Sequence, residues 1–115
     1  MMLYINERQL FEYFIETINS CGNLLLTATD EEIEYNIFEV FDINVHTFFH
    51  NENLEILLTN DLITSEVYKK AQLIREMYLK IEGTSLWSLE GIKNTKEWKE
   101  IINLCDQIKE KINDR

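Results

Sequence analysis

Asp42, His46 and His50 fall at i, i+4 and i+8, so an unbroken helix would align one carboxylate and two imidazoles along a single face. Neutral imidazole and carboxylate are donors that suit zinc. The motif lacks the H-E-x-x-H arrangement with its general base, and it requires a helix that passes through Asp42 without a break. Two unconnected histidines, each partly exposed or hydrogen bonded, are the simpler reading, and no metal or cofactor is assigned on this motif. Acid–base catalysis needs carboxylates held in unlike environments. Carboxylates are plentiful here, yet none stands beside a nucleophile, a glycine turn or a paired histidine. Ser20, Ser65, Ser85 and Ser88 all lie in capping contexts, and Gly22, Gly83 and Gly91 are too far apart to form a phosphate-cradling loop. The expectation is a chain that is not an enzyme.

The charge distribution points to binding instead. From Gln9 to Tyr68 there is no lysine or arginine, while Glu12, Glu16, Asp30, Glu31, Glu32, Glu34, Glu39, Asp42, Glu52, Glu55, Asp61 and Glu66 supply twelve carboxylates. Residues 1–66 hold 13 acids and 1 base, residues 67–115 hold 8 acids and 10 bases, and the whole chain carries a net charge of −10. Helical proteins usually intersperse the signs, because opposite charges one turn apart help each helix. A one-sided field attracts a basic partner and speeds encounter with it; the plainer reading is a protein kept in solution by its charge. Nucleic acid is disfavoured as a partner, since duplex affinity comes largely from cations that neutralise phosphates.

At 115 residues the chain is expected to be a single domain, residues 1–115, large enough for a real core. Its 45% hydrophobic content excludes disorder as the main state. No apolar run approaches the ~20 residues of a transmembrane helix, so no membrane association is expected. The N-terminal stretch from Met1 lacks the basic, apolar and small-residue regions of a signal peptide. Cys21 and Cys105 read as two buried thiols in a reducing cytosol, with a disulfide between distant helices as the other option. The expected location is cytoplasmic.

The elements that must position these residues are helices. The first runs from a cap at Asn6 to about Ser20, with Leu10, Phe11, Phe14, Ile15 and Ile18 on one face and Gly22 suited to a left-handed C′ position. Leu24 to Leu26 form a short bridge, either a helical turn or a buried loop. Thr29 and Glu32 form a capping box that opens a second helix reaching about Phe41. Asp42 or Asn44 restarts or kinks the chain, and a third helix carries Val45, Phe48, Phe49, Leu57 and Leu58, with Asn51 to Asn53 a potential interruption. The fourth, capped by Thr64 or Ser65, repeats Val67, Ala71, Ile74, Tyr78 and Ile81 before Gly83 ends it. A single turn after Ser88 precedes the fifth, from Thr95 to about Ile112, whose apolar face holds Trp98, Ile101, Ile102, Cys105 and Ile108. Alternating segments are absent, so the predicted fold is an all-α bundle of about five helices. Trp98 belongs to the core, and Trp87 closes one end.

If Ile33, Ile37, Val40 and Phe41 face the core, a regular helix turns Glu31, Tyr35, Phe38, Glu39 and Asp42 away from it. Three carboxylates and two aromatics are the mixture that protein interfaces use, which makes this face the candidate partner surface. A central helix buried on two sides is the alternative, and it would move the partner surface to Glu52, Glu55 and Asp61. Finally, Leu86-Trp87, then Lys96-Glu97-Trp98-Lys99-Glu100-Ile101, then Leu104, Asp106 and Ile108 resemble the ending of small helical immunity proteins. These are paired with nuclease toxins in contact-dependent growth inhibition and related bacterial polymorphic toxin systems. The resemblance covers about residues 60–112. It implies a cytoplasmic protein that binds one cognate toxin and blocks its active site or substrate groove, and it carries over no individual residue. A different acidic binder, such as a nucleic-acid mimic or an adaptor for a basic protein, is the alternative.

Overall fold

The computed structural model describes residues 5–113, and seven α-helices occur among them. They are α1 (Glu7–Asn19), α2 (Asp30–Tyr35), α3 (Asp42–Phe48), α4 (Asn51–Thr59), α5 (Ser65–Ile81), α6 (Leu89–Asn94) and α7 (Lys96–Asn113). No strand occurs among the described residues, so the chain is an all-α single-domain bundle. None of its described helices is long and apolar enough to cross a membrane. The N-terminal end on which the signal-peptide reading partly rested, residues 1–4, lies outside the described residues.

Local chemistry sets most of the boundaries. Asn6 accepts from the Gln9 amide while the Gln9 side chain accepts from the Asn6 amide, a reciprocal box at the start of α1. Thr29 accepts from Glu32 N–H, which is one arm of the expected box. Thr64 caps α5 and Ser88 caps α6 in the same way. Gly83, at φ 81°, supplies the left-handed residue just past α5. Gly22 does not take that conformation; its φ is −111°. What glycine provides there is space, because a Cβ would lie 2.7 Å from Asp106 Oδ1, and Asp106 holds the Asn23 backbone and side chain. The bridge after it is a 3₁₀ turn over Asn23–Thr27.

The stretch from Asp30 to Phe48 departs most from expectation. The backbone stays helical through Asp42 instead of breaking and restarting there. A π turn over Asn36–Phe41 joins α2 to α3 with helical backbone angles at Tyr35, Asn36 and Asp42. The run ends at Phe48, and α4 begins at Asn51. Ile33, Ile37, Phe41 and Val45 are all fully buried. Their four-residue spacing would drift by about 40° per step around a regular helix at 100° per residue. A π turn bonds i to i+5 and holds more residues per turn, so it restores these side chains to one inward face.

That face completes a core of Phe14, Phe49, Leu54, Leu57, Ile74, Tyr78, Trp98, Ile101 and Ile108, all fully buried. The α5–α7 pair forms its centre, α1 packs on α3, α4 and α7, and α6 lies against α2 and α7. Cys21 and Cys105 are free buried thiols that meet inside it.

Candidate functional site

The twelve carboxylates between Gln9 and Tyr68 are on the surface: eleven are exposed, and Asp42 is partly buried. Among the described residues, Asp30 pairs with Lys93 and Glu66 with Lys111, both cations of the C-terminal half. Glu31, Glu32, Glu34 and Glu39 on the helical run, and Glu52 and Glu55 on α4, have no ion pair among the described residues. Uncompensated carboxylates at this density repel one another, and a cationic surface brought against them relieves that repulsion.

Of the five side chains expected to turn away from the core, Glu31, Tyr35 and Glu39 do so, with Tyr35 58% exposed. Phe38 is half-buried and meets Trp87 edge to face, ring centroids 4.8 Å apart. Asp42 is turned inward by Tyr78, whose hydroxyl donates to its Oδ1. The π turn explains both displacements, since it rotates the residues after Tyr35 relative to a regular helix. Periodicity gave no warning of Ile43, which is 62% exposed on the same run. Tyr35, Phe38, Glu34 and Glu39 line a shallow depression of about 310 Å³. A second, of about 390 Å³, lies on α4 between Glu52, Glu55, Ile56, Thr59 and Asn60. Each thus combines an apolar patch with unpaired carboxylates. Asp61, the third residue of that alternative surface, sits just past α4 at φ 59° and is exposed.

Beside the first depression lies a connected polar cluster. Trp87 Nε1–H donates to the Tyr78 hydroxyl at 2.9 Å, and Tyr78 donates to Asp42. His46 Nε2 stands 3.7 Å from Asp42 Oδ1 and 2.9 and 3.1 Å from the two oxygens of Glu82. Glu82 is the residue after α5, where the backbone leaves the helix at ψ 131°. Burial and the neighbouring Asp42 push the Tyr78 hydroxyl far above its ordinary range, so it stays a donor. Hydrogen bonding with Asp42, together with partial burial, raises the Glu82 carboxyl, while His46 opposes the shift. His50 is not part of the cluster. The helix carrying His46 ends at Phe48, and His50 accepts from Glu52 N–H as the cap of α4. The expected alignment of Asp42, His46 and His50 therefore does not form.

No family model, curated protein or solved structure matches the chain.

Proposed function

We propose that the chain is an inhibitor that acts by binding a basic protein, and more narrowly an immunity protein that neutralises a cognate nuclease toxin. The observation that carries this reading is the set of exposed carboxylates, without ion pairs among the described residues, around Tyr35 and Glu39 and around Glu52 and Glu55, each set beside exposed apolar surface. A nuclease needs a cationic groove to hold its substrate, and a rigid helical surface with carboxylates and an aromatic anchor complements such a groove. The charges steer the encounter, and the apolar contacts supply much of the affinity. Ion pairs buried on docking add little net affinity because both ions lose water.

Co-expression tests the narrow reading. The narrow reading expects a neighbouring gene for a large secreted protein with a toxic C-terminal domain; that domain is produced with and without this chain, and growth is followed. Restored growth, with a complex that survives gel filtration, is the expected result. Unrelieved killing, or the absence of any complex with that domain, refutes the immunity assignment.

A further inference from the structure

The Asp42, His46 and Glu82 donors come from two elements. Asp42 and His46 are one turn apart on α3, and Glu82, the residue just past α5, is brought to them by the packing of that helix. Their donor atoms all lie within 4.8 Å of one another. Zinc bonds of about 2.0–2.2 Å in a tetrahedral arrangement separate neighbouring ligand atoms by about 3.3–3.6 Å. The 2.9 and 3.7 Å spacings from His46 Nε2 to the two carboxylates bracket that separation. We propose that Asp42, His46 and Glu82 form a binding site for a divalent transition-metal ion of the zinc class, through Nε2 and one oxygen of each carboxylate, with water completing the shell.

Three further features of the site support this. The ligands are held from behind: Tyr78 is fully buried and donates to Asp42, and Trp87 donates to Tyr78. Outer hydrogen bonds of this kind orient ligating carboxylates in metal sites. His46 has a side chain 39% exposed, which leaves a path for an ion and for the solvent ligand. One imidazole with two carboxylates matches zinc and its neighbours in the transition series better than calcium or magnesium, which take oxygen ligands in larger number. Two carboxylates facing one imidazole also leave excess negative charge, which a divalent ion neutralises. The ion would fasten the end of α5 to α3 at the edge of the Tyr35–Glu39 surface.

The test is calorimetric titration of the tag-free protein with zinc chloride near neutral pH, repeated with cobalt(II) and read by its visible absorption. One saturable site is expected. His46→Gln and Glu82→Gln should each weaken zinc by at least tenfold, and Tyr78→Phe, which removes the donor to Asp42 together with the acceptor of the Trp87 N–H, by about tenfold. His50→Gln should bind as the wild type does. Far-UV circular dichroism checks that each variant is folded, and the exposed His46 makes its variant the safest in this respect. Absence of a saturable site in the wild type overturns the proposal. So does undiminished binding by folded His46→Gln and Glu82→Gln, which would assign the zinc to scattered surface carboxylates, or an equal loss in His50→Gln.

Discussion

The Phe38 ring meets the Trp87 ring edge to face, with centroids 4.8 Å apart and planes 68° apart. This contact separates two aromatics that a regular helix would place together as exposed anchors. Phe38 belongs to the packing between the helical run and the connection after α5, whereas Tyr35 remains 58% exposed. Phe38→Ala should therefore lower stability by roughly 1–3 kcal/mol through lost burial and a lost aromatic pair. Tyr35→Ala should leave stability within about 0.5 kcal/mol but weaken the partner complex by about 2 kcal/mol. Urea denaturation and calorimetry on the two variants separate the effects; equal destabilisation by both would mean that Tyr35 is not free surface.

The reasons for this division show what the sequence could disclose. Helices α5 and α7 were legible because their signals are local: Thr64 and Thr95 before the apolar faces, Gly83 after one of them, and apolar residues three and four apart. The buried positions Leu10, Phe14, Ile37, Ile74, Tyr78, Trp98, Ile101 and Cys105 follow from the same periodicity. The π turn had only an indirect signature, the recurrence of Ile33, Ile37, Phe41, Val45 and Phe49 at every fourth residue. A wheel drawn at 100° per residue turns Phe38 and Asp42 outward, whereas both are partly buried at the π turn. Glu82 was invisible for a different reason. It stands 36 residues from His46 and outside any helical repeat, and only the packing of α5 against the rest of the bundle brings it there.

Trp98 is fully buried, and its Nε1–H donates to the Leu86 carbonyl at 2.8 Å. Trp98→Ala should cost about 3–5 kcal/mol through the cavity it leaves. Trp98→Phe keeps part of the packing but leaves the Leu86 oxygen without this donor, and should cost about 1–3 kcal/mol. A thermal melt unchanged by Trp98→Ala would contradict the buried position.

Burial pushes the Cys21 thiol well above its ordinary range, and hydrogen bonding with Cys105 adds to the shift. The folded chain therefore keeps this proton at pH values where the unfolded chain has lost it. The resulting contribution to stability is fully present below the unfolded thiol pKa of roughly 8.5 and declines as pH rises beyond it. For a single thiol the decline is at most about 1.4 kcal/mol per pH unit. Denaturation midpoints measured across the alkaline range should fall more steeply for the wild type than for Cys21→Ala. Parallel profiles would show that Cys21 ionises as easily folded as unfolded.

Charge steering makes the most direct claim on function. Glu31, Glu34 and Glu39 are exposed on the helical run and have no ion pair among the described residues, so their field extends into solvent until salt screens it, over about 10 Å at 0.1 M ionic strength and about 8 Å at the physiological value. Association with a basic partner should be fast at low salt and slow steeply as salt approaches the physiological level, while dissociation changes little. Glu39→Lys should slow association and flatten its salt dependence without altering the melt, because the Glu39 side chain is exposed. Stopped-flow mixing with the partner at several salt concentrations gives both rates. An association rate indifferent to salt, or one that Glu39→Lys leaves untouched, would reduce the acidic surface to a means of keeping the protein dispersed. The apolar contacts at Tyr35 and Ile56 would then have to account for recognition alone.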